Sequence, residues 1–508
     1  MSLFSLFRKN IDTTIFAVAA FTVVVLLTNH GGIGISPDSV AYISAARSIA
    51  SFRTIMQYDN TPFILFPLGY PFFLTLLLWL THIDIVQLAP FINGGLFALL
   101  IFLAGTIIDH FRYFNKFYKW IILTILVTSP ALWDVYSMLW SETLFIPWIL
   151  LFFIYLEKYI QQQNLKQLLI VSLLAATGCI IRYAGIVLIG TGGIMMLFLS
   201  QDIRKKIKHI LLFTFISSSF LCINLIRNHY AAGSLTGMRQ KGVTTLYTNT
   251  EYAGSVISNW LQLYSLSHTT QFFIGTTFII VSIASAAIYI FKKKHYTSFE
   301  NVAVTFFFVY TAFILASATL SRFETINNRL LAPAYVSFIW FYSYKIPWAV
   351  EQISKTKRLF FIITVGLASA FLIFQQIKYA KDTLQEVNEG GIGGYTEDDW
   401  RTSPLLQYLN KDKVLFHSQI PVYSNASHAV YFYTLQQIPS LPERAHTDMV
   451  ASFYRVPTFI LIWFNNEENY DLLTLEEIAK KKKMVPLQTF SDGTIFLCTS
   501  DTSSLKRK

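Results

Sequence analysis

Charged residues and cysteines are scarce in this sequence. Only 14% of its 508 residues are Asp, Glu, Lys or Arg, roughly half of the share of about 25% that is typical of soluble proteins. Hydrophobic residues make up 54% of the chain, with 45 Phe and 27 Tyr among them. This composition excludes a soluble enzyme, a disordered chain and a nucleic-acid-binding protein, in spite of the net charge of +11.

Several familiar motifs are also missing. The three cysteines, Cys179, Cys222 and Cys498, are odd in number, and neither they nor the ten histidines show metal-ligand spacing. We therefore expect no disulfide framework and no zinc site. The chain has no Walker or dinucleotide-binding fingerprint, which disfavours nucleotide-driven transport. Because no clear Asp-x-Asp signature is present, we expect no metal cofactor, with a divalent cation left open as the alternative.

The charges are unevenly distributed along the chain. Residues 381–508 hold 13 Lys/Arg and 16 Asp/Glu, whereas the first 380 residues hold 27 and 13. A basic excess within the apolar part is expected of cytoplasmic loops in a polytopic membrane protein. We predict a transmembrane domain over 1–377 and a small extracytoplasmic α/β domain over 378–508. In the latter, residues 421–424 and 458–463 resemble strands, and 476–483 resembles a helix.

The hydrophobic runs predict the number of spans. A spanning helix needs about 20 apolar residues, and the basic connectors between runs should all face the cytoplasm. All of these connectors can face the cytoplasm if the short run 67–82 does not cross the membrane and the 32-residue run 168–199 crosses it twice, with Arg182 near its middle. We therefore predict 11 spans, an uncleaved first helix with the basic pair Arg8-Lys9 inside, and a first outer loop over 29–88 with juxtamembrane helices. The basic or polar connectors are 109–119, 158–167, 201–209, 292–295 and 345–358.

Asp38 is the first candidate for chemistry. It lies just beyond the first span, and Pro37-Asp38 is a favourable helix start because Asp lies near the positive end of the helix dipole. The apolar residues that follow share one stripe, which predicts an amphipathic helix on the membrane surface. That stripe consists of Tyr42, Ala45, Ala46 and Ile49. The plain alternative is that Asp38 only caps this helix.

Four further features share the predicted outer side with Asp38. They are the element Pro67-Leu68-Gly69-Tyr70-Pro71, Ser141-Glu142 at a helix start, Arg182-Tyr183 between two runs, and Asn328-Arg329-Leu330-Leu331-Ala332-Pro333 at the start of a late span. In this order, over residues 15–344, the chain resembles integral-membrane glycosyltransferases of the GT-C superfamily. The matching branch contains protein mannosyltransferases, aminoarabinose transferases and bacterial polyprenyl-phosphate-sugar transferases. The sequence departs from the pattern in lacking an Asp-Glu or Glu-x-Asp pair in its first loop.

The resemblance implies an inverting transfer of a sugar from a polyprenyl-monophosphate donor to a glycan, lipid or protein acceptor, on the extracytoplasmic face of the plasma membrane. Asp38 would be the general base and Glu142 a second acidic group that steers the acceptor or a cation. Arg182 and Arg329 would bind the donor phosphate, because a guanidinium group suits phosphate oxygens. Weaker phosphate candidates are Arg239 and Lys241. Tyr42, Tyr70 and Tyr183 are the candidates for substrate contact.

Each assignment has a plain alternative. Glu142 is also a favourable helix-start residue, and Arg182 and Arg329 could anchor helices at the membrane interface. Arg239 and Lys241 are typical of solvated loop charges. For the whole protein, the alternatives are a ligase or polymerase that uses diphosphate-linked glycans, a polytopic transporter, or a catalytically inactive scaffold.

Overall fold

The structure is a computed structural model that describes residues 10–51, 55–109, 115–199, 201–237, 239–293, 299–322, 324–417, 419–467 and 469–500. The basic pair Arg8-Lys9, which entered the orientation prediction, lies outside these residues. So do residues 110–114 of the predicted connector 109–119, and residues 294 and 295 of the predicted connector 292–295.

A helix lies at each of the eleven predicted spans. Apolar composition over these stretches favours helices, since every backbone polar group must be satisfied internally in lipid. The eleven helices are α1 (Ile11–Leu27), α4 (Ile85–Ile108), α5 (Lys116–Val127), α7 (Glu142–Gln162), α8 (Leu165–Ile181), α9 (Ile186–Leu197), α10 (Ile203–Ala232), α12 (His268–Lys293), α13 (Phe299–Leu320), α14 (Asn328–Gln352) and α15 (Lys355–Gly390). Between them lie α2 (Pro37–Ala50), α3 (Gly69–Thr81), α6 (Pro130–Tyr136) and α11 (Leu246–Trp260).

Five helices are long and apolar enough to cross a membrane by length and composition, among the residues that the structure describes. They are α4, α7, α10, α13 and α15. Four shorter apolar helical stretches accompany them, at Ile11–Leu27, Gly69–Thr81, Leu165–Ile181 and Tyr183–Leu197. The chain is a multi-pass helical membrane protein, as its composition predicts.

Two hydrophobic runs decide the predicted number of spans. The run 168–199 is divided at Arg182, which has an extended backbone between α8 and a short 3₁₀ turn at Tyr183–Gly185. The turn is tight, because a Cβ on Gly185 would lie 2.2 Å from the carbonyl oxygen of Gly178. The run 67–82 forms the 13-residue helix α3. At 1.5 Å per residue such a helix is about 20 Å long. That the run 67–82 does not cross the membrane, and that the run 168–199 crosses it twice, stay predictions.

The chain divides into two compact units that are each discontinuous in sequence. Unit 1 contains Met1–Ile33, Ile64–Phe73 and Val86–Glu389, and unit 2 contains Gly34–Phe63, Leu74–Ile85 and Gly390–Lys508. Two segments of the first outer loop therefore group with the C-terminal region. The predicted domain boundary after residue 377 falls within α15 and stays a prediction.

The C-terminal part of unit 2 is a small α/β structure. Its helices are α16 (Asp398–Arg401), α17 (Pro404–Lys411), α18 (Ser427–Thr434), α19 (Thr447–Arg455) and α20 (Leu475–Ala479), and its strands are β1 (Val422–Ser424), β2 (Thr458–Phe464), β3 (Lys482–Thr489) and β4 (Gly493–Ser500). The sheet order is β1-β2-β4-β3, with β1 parallel to β2 and the other pairs antiparallel. Both predicted strands are confirmed. The predicted helix over 476–483 is wrong beyond Ala479, because Lys482 begins β3, which pairs with β4 along its length.

A buried ion cluster joins three segments of unit 1. Lys119, near the start of α5, has a side chain that is only 1% exposed. Its ammonium group lies 2.7 Å from Asp109 Oδ1, just after α4, and 3.3 Å from Asp12 Oδ2 in α1. Lys119 was counted among the basic connector residues, but the structure shows that its charge is paired within the protein. The cluster fixes the ends of α1, α4 and α5 relative to one another.

Replacing Lys119 with Met should destabilise unit 1, because two carboxylates would remain without their cation. Both carboxylates are about a quarter exposed, so we expect a loss in the free energy of unfolding of about 2 kcal/mol, below the usual cost of breaking a fully buried pair. Denaturation of the full-length protein in detergent measures this loss. Lys116→Met, on an exposed residue of the same helix, is the matched control; an equal loss in both variants would contradict the ion-cluster explanation.

Candidate active site

Glu142 is the centre of the candidate site in unit 1. It is the first residue of α7, and its side chain is fully buried, with 0% exposure. Its Oε2 lies 2.5 Å from Arg182 Nη1 and its Oε1 lies 2.9 Å from Arg329 Nε. Both carboxylate oxygens are thus ion-paired with guanidinium groups, and Oε1 also accepts a hydrogen bond from Arg329. In this arrangement Glu142 holds the two arginines, and its predicted role in steering an acceptor or a cation stays a prediction.

The local sequence explains where Arg182 lies. Because α8 ends at Ile181 and the chain turns tightly at Gly185, Arg182 occupies the connection between two helices. Its Nη1 also donates to the hydroxyl of Ser141, at 2.8 Å. The side chain is 15% exposed, so it does not extend freely into the interface as the anchoring alternative requires.

Arg329 approaches the same carboxylate from a third helix end. It is the second residue of α14, which is capped by the side chain of Asn327. The guanidinium group lies over the ring of Trp140, 4.1 Å from the centroid, and also pairs with Glu324 at 3.4 Å. Its side chain is 13% exposed, whereas that of Glu324 is 47% exposed.

Two arginines and one buried carboxylate leave an excess positive charge next to two helix N-termini. The N-termini of α7 and α14 add partial positive charge through the helix dipole. Glu324 offsets part of this charge from 3.4 Å, but its carboxylate is 47% exposed and is therefore partly screened by water. The site is therefore suited chemically to an anion with several oxygen acceptors.

Tyr183 belongs to a neighbouring polar cluster. Its hydroxyl accepts from the side-chain amides of Asn224 and Asn228, at 3.3 and 3.1 Å, and donates to the carbonyl of Ile64, at 3.3 Å. The asparagines are buried residues of α10. These contacts connect α10 to the segment before α3 and support a structural role for the hydroxyl. The predicted substrate contact of Tyr183 stays a prediction.

Arg239 and Lys241 lie in an exposed segment that pairs with the loop before α14. Lys241 forms an isolated antiparallel bridge with Ser321, and the backbone N–H of Arg322 donates to the carbonyl of Gln240 at 2.9 Å. Arg239 donates to the hydroxyl of Thr236 at 3.4 Å. The backbone therefore brings this segment to the loop that carries Glu324. Phosphate contact by Arg239 or Lys241 stays a prediction.

Asp38 lies in unit 2, in the first turn of α2. The helix is capped by Ser36 and not by Asp38: the hydroxyl of Ser36 accepts from the N–H of Ser39, and the Ser39 hydroxyl accepts from the N–H of Ser36. Asp38 is the second helical residue, after Pro37, and is partly exposed. The alternative that Asp38 only caps this helix is therefore wrong, because Ser36 is the cap. The role of Asp38 as a base stays a prediction.

The two remaining tyrosines are buried. Tyr42 is 2% exposed in unit 2, where its ring is near Phe63, and Tyr70 is 0% exposed in unit 1, stacked near Phe73. In α2, all four residues of the predicted stripe are buried, but so are Val40 and Ile43, so the helix is covered on more than one face. Substrate contact by either tyrosine stays a prediction.

Sequence reasoning missed several residues around the arginines. Asn328 Nδ2 donates to Asp134 Oδ2 at 3.3 Å, and burial raises the pKa of Asp134 to about 6. Trp140, Ser141 and Glu324 also contact the arginines directly. Their position next to predicted site residues was the available signal. Among the described residues, no group of three or more His, Cys, Asp or Glu could hold a metal ion.

Comparison with solved structures identifies the fold. The chain has a fold similar to that of ArnT, which confirms the predicted resemblance at the level of architecture only. Two similar structures are those of ArnT from Cupriavidus metallidurans, in the apo state and bound to undecaprenyl phosphate. Each matches with a TM-score of 0.57 and 10% sequence identity, over 95% of this chain and 97% of ArnT. No protein-family model and no curated protein sequence matches this chain.

Replacing Glu142 with Gln should lower the free energy of unfolding by about 3 kcal/mol, because two largely buried guanidinium groups would lose the buried carboxylate that they share. Denaturation of the detergent-solubilised protein provides the measurement. Glu324→Gln is the matched control. Because the Glu324 side chain is exposed, we expect this variant to lose less than about 1 kcal/mol of unfolding free energy. A Glu142→Gln variant as stable as the control would show that the buried ion cluster does not hold these three helix ends together.

Proposed function

We propose that this protein is a membrane glycosyltransferase that takes a sugar from a polyprenyl-monophosphate donor and transfers it to a glycan, lipid or protein acceptor. The observation that carries the proposal is the pair of arginines, Arg182 and Arg329, on one buried carboxylate in an ArnT-like fold. A neighbour of that fold, ArnT, has been solved with undecaprenyl phosphate bound. A lipid phosphate is an anion that matches the charge of this cluster.

The arginines would bind the phosphate of the donor and of the departing lipid. Guanidinium groups present several N–H donors in a fixed plane, which suits the tetrahedral array of phosphate oxygens. Glu142 occupies one side of each guanidinium and fixes its orientation, so less conformational freedom is lost on binding. Charge that develops on the leaving phosphate is then stabilised by groups already in place.

Asp38 would supply the general base. The acceptor hydroxyl transfers its proton to the Asp38 carboxylate as its oxygen bonds to the anomeric carbon. The bond between that carbon and the phosphate oxygen breaks, and polyprenyl phosphate leaves as an anion with the electron pair. A single displacement of this kind inverts the configuration at the anomeric carbon. The leaving group needs no general acid, because phosphate is stable as an anion.

We place this reaction on the extracytoplasmic face of the plasma membrane, with the N-terminus in the cytoplasm and the C-terminal region outside. The basic connectors 201–209 and 345–358 support this orientation, since cytoplasmic loops carry an excess of Lys and Arg. The candidate arginines lie at the opposite ends of the helices that these connectors join.

Replacing Arg182 or Arg329 with Gln should weaken binding of undecaprenyl phosphate about tenfold or more, because each loses a charge-assisted contact of about 1.5–3 kcal/mol. The dissociation constant is measured by native mass spectrometry of the full chain in nanodiscs. Arg204→Gln, on an exposed arginine in the first turn of α10, is the control and should bind normally. Unchanged affinity in both site variants would remove the arginines from the phosphate role.

Replacing Asp38 with Asn should abolish sugar transfer and leave binding of undecaprenyl phosphate intact, because only the proton acceptor is lost. Transfer is followed as release of undecaprenyl phosphate from a cell extract enriched in polyprenyl-monophosphate sugars. Asp59→Asn, in the same outer loop, is the control and should turn over normally. Normal turnover of Asp38→Asn would require a different base.

A further inference from the structure

The glycine-rich segment after α15 ends in a close contact with the chain just before α2. Gly394 has a φ of +97°, and a Cβ at this position would lie 2.3 Å from the carbonyl oxygen of Ile35. The next residue, Tyr395, donates its backbone N–H to the same oxygen at 2.7 Å. Glycine is required here on two counts, since side chains are disfavoured at this φ and the space is filled by the Ile35 peptide. All of these residues belong to unit 2.

The turn itself is firmly anchored. The carbonyl of Tyr395 accepts from the hydroxyl of Tyr433 in α18, at 2.6 Å, and its ring meets that of Trp400 edge-on at 5.2 Å. The N–H of Glu397 closes the turn on the carbonyl of Gly394, at 3.0 Å. Tyr395 is buried. The position of the Ile35 carbonyl is therefore set by the C-terminal part of unit 2.

Ile35 directly precedes the cap of the helix that carries Asp38. The reciprocal hydrogen bonds of Ser36 and Ser39 enclose Asp38 between them, at 3.1 and 3.4 Å. A shift of the Ile35 peptide moves Ser36, and through this cap it moves the first helical turn. The Ile35 peptide is thus connected, through the hydrogen bonds between Ser36 and Ser39, to the helical turn that carries Asp38.

Separate contacts hold the other half of α2. Arg47 pairs with Asp84 at 2.7 Å, and the hydroxyl of Thr75 donates to the carbonyl of Ala46 at 3.2 Å. Helix α18 also packs against α2. Because the far end of α2 has its own anchors, disturbing the contact at Ile35 should displace the first turn without releasing the whole helix.

We propose that the turn at Gly394 and Tyr395 is a positioning element for Asp38. The C-terminal region then acts in the transfer step by fixing the base, in addition to any contact with the acceptor. This inference rests on the proposed role of Asp38. A displacement of about 1 Å in a catalytic group can cost about 100-fold in rate, so a Cβ that displaces Ile35 should be visible in turnover.

The test compares two adjacent glycines in the full chain in nanodiscs. Gly394→Ala should lower kcat for release of undecaprenyl phosphate from the polyprenyl-monophosphate sugar extract by about 10- to 100-fold, with KM and the dissociation constant of undecaprenyl phosphate unchanged. Gly393→Ala should behave as wild type, because Gly393 lacks a positive φ and a Cβ there meets nothing within 4 Å. Hydrogen exchange supplies a second readout: amides over 36–42 should exchange faster in Gly394→Ala only.

Tyr433→Phe keeps the test valid should Gly394→Ala fail to fold. It removes only the hydroxyl that holds the Tyr395 carbonyl, and we expect a several-fold loss of kcat at constant KM. A wild-type kcat in a folded Gly394→Ala variant overturns the positioning role. If Gly394→Ala does not fold, a wild-type kcat in Tyr433→Phe overturns it. A change in KM with kcat unaltered also overturns it. These results leave the proposed function standing as long as Asp38→Asn is inactive. Normal turnover of Asp38→Asn overturns the base and the positioning element together.

Discussion

The candidate site depends on one buried carboxylate. Glu142 lies between Arg182 and Arg329 and so brings together the start of α7, the end of α8 and the start of α14. Removing three charges from water is expensive, and buried ion pairs are often no more stabilising than apolar residues of the same size. Stability alone therefore gives little reason for such a cluster. A requirement for two fixed cations at one place gives a better one.

The cluster also determines what the arginines can do. An arginine without a counter-charge at a helix end would extend its long side chain toward water and lose rotamer freedom only on binding. Because Glu142 pairs with both arginines and the Trp140 ring lies against Arg329, both guanidinium groups are already ordered. Preorganised donors of this kind stabilise developing charge without a cost of reorganisation.

The parts of the fold that depend on composition could be predicted from the sequence. The division of the run 168–199 at Arg182 follows from the length of a membrane span, whereas the failure of α3 to cross the membrane stays a prediction. The pairing of Glu142 with both arginines could not, because it depends on which helix ends meet in three dimensions. Ser36 as the cap of α2 was missed since Asp38 is an equally good capping residue by type. The start of β3 at Lys482 was missed because a run of lysines carries no strand pattern until it pairs with β4.

The discontinuity of unit 2 has a consequence for biogenesis. Residues 34–63 and 74–85 leave the ribosome early, but the segment with which they form a compact unit starts at Gly390, some three hundred residues later. Contacts of such high sequence separation form late. During synthesis these two segments of the first outer loop therefore lack their packing partners while the remaining helices insert. A nascent chain released before that segment is translated would carry every predicted span and still leave this loop unassembled.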